Sequence, residues 1–579
     1  MISSASQAQI LNHGRRVLLA AAVCVPLLWM GGPLLRLITA TALIVLAPGY
    51  LLERLLPAPR LPLLMRSALW VALSLSVVVL LYEAAWLTEF RLSTPILMAF
   101  GVFVASGAFV AAWIDLQPRY PSESPPLQNG TIWLAFGVVC LMSVSLRFTQ
   151  IEGLALPPWV DSVHHALLVR ISAEQGGLPI DLRPYMPIGE LTYHWGFHVV
   201  AAALMQLSGV DLGNTLLWSG QLLNALHAPL AGALALLLHR KPVAALGTAL
   251  SVGLLSYFPA YYLSWGRYTQ LTGLLLVPAL AIVWQTGLER SHWRWWVAAA
   301  LLLAGLLLIH VRVLLFVLTL LAVQTVFWAL RRNPTELKRA AIGICGAGMG
   351  AAILGAPWVL LLARRIVPTA VAQPENFVAS NDYAAISTAL LWAGDGRWLS
   401  ALALLAAGWG IWRRQVGASM PVIWVGILLF FAQPALISYV LPALGAVVLI
   451  RGVETRHWPF MIAGIALLLL NPLTLDLPPT WLISGDSVVI SLFLPLSVAL
   501  GGGLADLSTV LRRRGGRIAM LSLPLIAVGA IALGAWGAQR QQRIVNPGTI
   551  IATAADLKAI EWGTRQYAAR RTLPDQRRT

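Results

Sequence analysis

The stretch RWWVAAALLLAGLLLIHVRVLLFVLTLLAVQTVFWALRR, residues 294–332, shows the pattern that decides the fold. Two apolar runs, suited to a hydrocarbon core of about 30 Å, are separated by His310 and Arg312 and flanked by arginines. Such Leu- and Ala-rich runs recur from Val17 almost to Gly537, without the alternation at every second residue that marks a membrane barrel. The pattern predicts an all-α, polytopic helical membrane protein.

The composition excludes a soluble protein. Of the 579 residues, 58% are hydrophobic and only 11% are charged, whereas soluble domains carry about 25% charged residues. The formal net charge of +17 would suggest nucleic acid binding in a soluble chain. Here the basic residues form short clusters between apolar runs, and helix orientation by the positive-inside rule explains them. We therefore expect no nucleic acid partner.

The arginine clusters predict about 17 transmembrane helices, with a cytoplasmic N-terminus and an extracytoplasmic C-terminal tail. The run 194–207 is too short to span comfortably, and spanning would invert every later basic cluster, so it is interpreted as a juxtamembrane or re-entrant helix. The predicted organisation is an N-terminal four-helix membrane unit at 1–130, a transmembrane module at 131–537 with a long first outer loop at 148–193, and a short tail at 538–579. The expected spans are 17–32, 34–52, 67–87, 93–114, 131–147, 215–238, 242–258, 271–287, 294–309, 312–330, 339–359, 386–411, 418–432, 435–450, 457–473, 487–506 and 517–537.

The first outer loop carries side chains that can do acid-base chemistry. Asp161 follows a helix exit and precedes His164 and His165. The low dielectric near a membrane surface readily shifts the pKa of carboxylates and imidazoles, which suits general-base catalysis near neutral pH. The alternative is structural, because Asp161 or Ser162 could cap the helix that follows.

A second pattern in this loop is typical of metal ligands. His194 and His198 are four residues apart, so on a helix they would share one face. Asp161 and His165 would be the natural further ligands of a divalent metal. The alternative is simple hydrogen bonding of both imidazoles to the loop or to lipid headgroups.

The next outer segment, 257–270, is dense in aromatic residues, which an aromatic belt at the membrane interface explains. Arg267 lies among these aromatics at the outer end of a helix, where a guanidinium is a good ligand for a lipid phosphate. His310 and Arg312 occupy a short turn on the same face, where ionisable residues are functional candidates. An interfacial arginine can also simply extend its charged end towards water.

In combination, Asp161, the Tyr-His-x-Gly-x-His block at 193–198 and Ser-Trp-Gly-Arg-Tyr-Thr-Gln at 264–270 resemble bacterial membrane proteins of the GT-C glycosyltransferase superfamily. The resemblance covers roughly residues 132–562 and implies a GT-C-like core. It implies an enzyme of the bacterial cytoplasmic (inner) membrane that takes a sugar from a polyprenyl-phosphate-linked donor at the outer face. The acceptor would be a glycan, a lipid or a protein.

The resemblance also implies roles for individual residues. Asp161 would be the catalytic acidic residue, and a divalent metal, Mg²⁺ or Mn²⁺, is left open because Ser162 and Val163 follow it where the family often has a second acidic residue. The side chains implied in binding the donor or its phosphate are Arg267, Tyr268, Gln270, His310 and Arg312. The further candidates for substrate or metal binding are His164, His165, Glu190, His194 and His198.

Two other functions stay open at this point. A lipid or polysaccharide transporter or flippase would share the many helices and the intramembrane arginines, although the polar residues gather at the outer face and no duplicated halves are visible. A catalytically degenerate envelope scaffold is the second alternative. Members of the superfamily commonly continue into a soluble outer domain after the tail, whereas this sequence stops at Thr579.

Overall fold

The computed structural model describes residue 28 and residues 30–57, 61–116, 130–372, 386–432, 434–454, 457–469 and 483–572. Every regular element within these ranges is a helix, which confirms the predicted all-α class for the described part of the chain. Most of the first expected span, 17–32, lies outside the described residues.

Most helices of the N-terminal half agree with the spans expected from hydropathy. In α1 and α8 a π-helical turn interrupts the α-helical pattern, at Ala42–Leu46 and Ser251–Leu255. The helices of this half are α1 (Pro33–Glu53), α2 (Leu63–Leu87), α3 (Thr94–Leu116), α4 (Gly130–Gln150), α5 (Val160–Gln175), α6 (Gly196–Ser208), α7 (Leu212–His239) and α8 (Pro242–Leu255).

The C-terminal half begins with two one-turn helices that lie between the longer ones. The span expected at 386–411 is divided into a short and a longer helix. The helices of this half are α9 (Tyr257–Ala260), α10 (Tyr262–Trp265), α11 (Tyr268–Arg290), α12 (Trp293–Ile309), α13 (Val311–Ala329), α14 (Pro334–Ala372), α15 (Thr388–Leu391), α16 (Gly396–Trp412), α17 (Val416–Phe431), α18 (Pro434–Glu454), α19 (Trp458–Leu469), α20 (Gly485–Arg513), α21 (Gly516–Gln541) and α22 (Ala554–Thr572).

The described helices make the chain a polytopic helical protein. Ten of them are long and apolar enough to cross a membrane, and five shorter apolar helices have 10–17 residues. The exact number of 17 stays a prediction, because length and composition alone identify these spans.

The N-terminal helices share one core with the rest of the molecule. A single hydrophobic cluster extends from Leu28 to Ala530, and α2 packs against both α7 and α12. Gly305 of α12 permits this close packing, since a Cβ atom there would collide with Ser76 of α2. The predicted boundary at residue 130 stays a prediction.

The segments that were predicted to face outward meet at one end of the helices, which we call the loop end. The hydroxyl groups of Tyr193 and Thr269 lie 3.4 Å apart there, and the Trp159 N–H donates a 2.7 Å hydrogen bond to the Thr549 carbonyl. These contacts join the first outer loop to the second outer segment and to the tail. These segments therefore share one end of the molecule, and the side of the membrane that this end faces stays a prediction.

Several basic clusters lie at the opposite end, which we call the basic end. Lys241 forms a 3.1 Å ion pair with Asp506, and Arg294 donates a 2.9 Å hydrogen bond to the Leu55 carbonyl. The positive-inside rule predicts that this end faces the cytoplasm, and that orientation stays a prediction.

Helix α6 does not run the length of its neighbours. It has 13 residues, about 20 Å at 1.5 Å per residue, which is shorter than a hydrocarbon core. Before its start, the ring of His194 contacts that of His310, with 4.6 Å between the ring centroids. After its end, a Cβ atom at Gly213 would lie 2.9 Å from Leu156 of the first outer loop. Both ends of α6 are thus at the loop end, as expected for a juxtamembrane helix.

Candidate functional site

Asp161 lies in the first turn of α5, at the loop end. The residue at the N-cap position is Trp159, and no side chain caps the helix. The Ser162 hydroxyl instead donates a 2.6 Å hydrogen bond to the Pro158 carbonyl. The half-buried Asp161 side chain forms no hydrogen bond or ion pair with another described residue. The capping alternative therefore does not account for this carboxylate, which is available to a ligand.

Gly266 places the second outer segment directly against Asp161. Its φ angle of +60° lies in the left-handed region, and a Cβ atom there would lie 2.7 Å from Ser162 Oγ and 3.4 Å from Asp161 Cβ. Only glycine meets both requirements without strain. The backbone at Gly266 is therefore fixed against α5 at Asp161, and Arg267 is the next residue along the chain.

We expect Gly266→Ala to lower the free energy of unfolding by about 2–4 kcal/mol, because the new methyl group would add a collision with Ser162 to the cost of a positive φ. Gly153→Ala is a matched control, since Gly153 has a φ of +81° but open space around its Cβ position. It should cost only about 1–2 kcal/mol. Thermal unfolding of both variants in detergent gives the comparison, and equal losses would contradict the close approach of Gly266 to α5.

Arg267 provides a positive charge without a counter-ion at this site. Its side chain is exposed, and its guanidinium lies over the Trp265 ring, 5.4 Å from the ring centroid. No acidic side chain lies within ion-pair distance of it in the part of the chain that the structure describes. A guanidinium that is held on an indole face and lacks a carboxylate partner is well suited to bind a phosphate.

Four histidines of the site form two pairs in direct contact. His165 Nδ1 and His198 Nε2 lie 2.8 Å apart, and the ring of His194 contacts that of His310. The expectation that His194 and His198 share a helical face is wrong, because α6 begins only at Gly196. Trp195 is the N-cap residue and Gly196 is the first residue of the helix, so His194 lies before it.

Close packing of the loop fixes these pairs. A Cβ atom at Gly196 would lie 2.6 Å from a side-chain carbon of Ile309, so the start of α6 touches the end of α12. His310 follows Ile309 directly, and its Nδ1 accepts a 3.3 Å hydrogen bond from the Val313 N–H as the cap of α13. His194 and His310 are therefore brought together by backbone packing.

Burial favours the neutral form of His165 and of His194. It lowers the pKa of His165 from 6.5 to about 4, while a hydrogen bond to the Gly266 backbone opposes the shift. It also lowers the pKa of His194 well below the usual value, and repulsion from His310 and His165 in their protonated forms and from Arg312 acts in the same direction. The positive charge of the site at neutral pH therefore comes from arginine and not from histidine.

The depressed pKa of His165 predicts acid-sensitive stability. The unfolded chain binds the proton at pH 6.5, whereas the folded protein binds it only near pH 4, so stability is complete above 6.5 and is lost as the pH falls towards 4. The expected loss is about 3 kcal/mol. Melting temperatures between these pH values should fall less steeply in His165→Gln than in the wild type. The exposed neighbour variant His164→Gln is the control, and identical profiles for all three proteins would refute the prediction.

The residues do not assemble a metal centre in this arrangement. His165 and His198 bond to each other, and His310 caps a helix. No group of at least three His, Cys, Asp or Glu side chains could hold a metal within the described ranges. Metal binding by Asp161, His165, His194 and His198 stays a prediction from the sequence.

Two further candidates lie at the edge of the site. His164 is exposed on the outer side of α5, next to the buried His165. Glu190 forms an exposed ion pair with Arg365 of α14, which links the first outer loop to a distant helix. Glu190 therefore has a structural partner, in contrast to Asp161.

Tyr268 and Gln270, which were expected to bind the donor, are buried in the structure. The ring of Tyr268 stacks on Phe197 with 5.1 Å between centroids. The side-chain amide of Gln270 donates a 2.9 Å hydrogen bond to the Ser491 hydroxyl of α20. Both side chains therefore anchor the segment that follows Arg267 to neighbouring helices.

Other residues of the site were not singled out from the sequence. The Arg312 guanidinium donates a 3.4 Å hydrogen bond to the Ser487 hydroxyl at the start of α20. In the tail, the Asn546 N–H donates a 3.0 Å hydrogen bond to Ser264 Oγ, beside the contact between Trp159 and Thr549. The sequence feature that could have identified Ser487, Asn546 and Thr549 is the turn-forming composition around them. These segments are Ser-Gly-Asp-Ser at 484–487 and Asn-Pro-Gly-Thr at 546–549.

Comparison with known proteins places this site within a family. None of the curated proteins compared with the chain matches it. A family model matches residues 42–435, which include Asp161, Arg267 and Arg312. Because this match covers more than half of the 579 residues, the chain belongs to DUF6541, a family of unknown function.

Proposed function

We propose that this protein is a GT-C-type glycosyltransferase of the bacterial cytoplasmic membrane, which moves a sugar from a polyprenyl-phosphate donor to an acceptor at the outer face. One observation carries the proposal. Gly266 packs against α5 at Asp161, an unpartnered carboxylate, and directly precedes Arg267, an exposed guanidinium with no acidic partner among the described residues. A base next to a phosphate-binding cation is what transfer from a lipid-linked phosphate requires.

The proposed reaction is a displacement at the anomeric carbon of the sugar. The Asp161 carboxylate accepts the proton of an acceptor hydroxyl as the hydroxyl oxygen bonds to the anomeric carbon. The bond from that carbon to the phosphate oxygen breaks, and its electron pair leaves with the polyprenyl phosphate. Arg267 stabilises the negative charge that grows on the phosphate, and this contribution is the larger one because the charge develops in the transition state.

The neutral histidines suit recognition of a sugar. His194 Nε2 and His198 Nδ1 are buried and have no hydrogen-bond partner within the described chain. Ring nitrogens of this kind can donate to or accept from sugar hydroxyls, depending on the tautomer. Burial raises the pKa of the Tyr193 hydroxyl. The positive charge of Arg267 lowers this pKa and the negative charge of Asp161 raises it, so both charges act on the hydroxyl.

The test is a comparison of donor classes. Purified protein in lipid nanodiscs is incubated with polyprenyl-phosphate sugars or with nucleotide sugars, together with a panel of glycan, lipid and peptide acceptors. We expect release of polyprenyl phosphate from the lipid-linked donors and no consumption of nucleotide sugars. Consumption of nucleotide sugars alone would overturn the donor assignment. Movement of an intact lipid across the bilayer, with no bond broken, would favour the transporter instead.

A further inference from the structure

A second polar site lies at the basic end, far from Asp161. Helix α20 begins near Ser487 at the loop end and ends at Arg513, which places its two ends about 40 Å apart at 1.5 Å per residue. At this far end, a cavity of about 460 Å³ opens between the start of α8 and the end of α20. Its wall includes Arg240, Lys241, Arg512 and Arg513.

The charges that face this cavity are only partly neutralised. Lys241 is paired with Asp506 at 3.1 Å, and Arg240 approaches Glu289 at 3.8 Å. Arg512 and Arg513 are exposed and have no acidic partner within the described residues. The cavity therefore keeps an excess of positive charge.

Hydrogen-bond donors and an apolar rim complete the site. The hydroxyl groups of Ser508 and Thr509 lie on the wall, and Lys241 Nζ donates a 3.0 Å hydrogen bond to Thr509 Oγ1. Helix α8 begins at this cavity with Pro242, and the positive end of its helix dipole favours a bound anion. Val243 and Leu523 form an apolar side of the same cavity.

We propose that this cavity binds the headgroup phosphate of an anionic phospholipid, with the lipid chains against the side formed by Val243 and Leu523. Basic pockets between transmembrane helices at the cytoplasmic side are suited to such headgroups. Arg512 and Arg513 supply the uncompensated charge for the phosphate, and the apolar side distinguishes a lipid from a free anion. The site is separate from the site at Asp161, because it lies at the other end of α20.

The test uses the full-length protein in neutral detergent, titrated with phosphatidylglycerol or phosphatidylcholine and observed by native mass spectrometry. The double variant R512Q/R513Q should bind phosphatidylglycerol about 30-fold more weakly than the wild type. Each arginine contributes about 1 kcal/mol of binding free energy, and about 1.4 kcal/mol corresponds to a tenfold change in affinity. The charge-preserving variant R512K/R513K should retain most of the affinity. The control R413Q/R414Q removes another arginine pair that does not line the cavity and should bind like the wild type.

Three outcomes would overturn the assignment. Equal loss of binding in R413Q/R414Q would show a general effect of net charge. Equal affinity for phosphatidylcholine would show that the phosphatidylglycerol headgroup is not recognised. Full displacement of the lipid by millimolar inorganic phosphate would identify the site as one for a soluble anion. Melting temperatures of all variants verify that each protein is folded.

Discussion

Asp161→Asn is expected to abolish sugar transfer while the protein still folds and inserts. Loss of a general base typically lowers turnover about 100- to 10,000-fold. The amide is nearly isosteric with the carboxylate but cannot accept the proton of the acceptor hydroxyl. Since Asp161 makes no hydrogen bond or ion pair with another described residue, its replacement leaves no partner unsatisfied. The variant should therefore elute as the wild type in size-exclusion chromatography and melt at a similar temperature.

Asp211→Asn is the matched control for this substitution. Asp211 is an exposed carboxylate at the same end, and it caps α7 by accepting a 3.0 Å hydrogen bond from the Asn214 N–H. Asparagine caps helices about as well as aspartate, so both turnover and stability should persist. Wild-type turnover in Asp161→Asn, or equal loss in both variants, would contradict the assignment of Asp161 as the base.

Arg267→Ala is expected to lower the turnover number about 100- to 1,000-fold, the usual cost of removing one group that stabilises transition-state charge. The Michaelis constant should rise much less, because the charge on the phosphate grows as the sugar leaves. Arg267→Lys should recover part of the activity, since lysine keeps the charge but loses the planar guanidinium that stacks on Trp265. Steady-state kinetics with a lipid-linked donor gives both constants.

The control for this prediction is Arg183→Ala in the first outer loop. Arg183 is exposed but is paired with Asp181 at 2.5 Å, so its charge is already compensated. It should keep wild-type turnover. A higher Michaelis constant with an unchanged turnover number in Arg267→Ala would show that the guanidinium binds the donor without promoting the reaction.

The helices and their relative placement could be predicted from the sequence because few physical terms decide them. Continuous apolar runs identify the spans, and the short run at 194–207 could not cross without inverting the later arginine clusters. The structure accordingly places both ends of α6 at the loop end. The length of the run 194–207 and the positions of the later arginine clusters were sufficient to predict that α6 does not span.

The details of the site depended on packing that no local pattern contains. Whether His194 belongs to a helix depends on where α6 begins. The helix begins at Gly196, two positions after His194, so His194 lies outside it. The burial of Gln270 follows from its bond to Ser491, which is 221 positions away in the chain. Likewise, the contact between Trp159 and Thr549 joins segments that only the folded chain brings together. Long-range contacts of this kind cannot be inferred from one sequence.

We propose that Asp161 and Arg267 form the reaction centre of a transferase that uses a lipid-linked sugar. The most direct measurement is the release of polyprenyl phosphate from a polyprenyl-phosphate sugar by wild-type protein, Asp161→Asn and Asp211→Asn in parallel nanodisc preparations with the same acceptor. We expect release by the wild type and by Asp211→Asn, and none above background by Asp161→Asn. Donor that binds all three proteins and is released intact from each would contradict it.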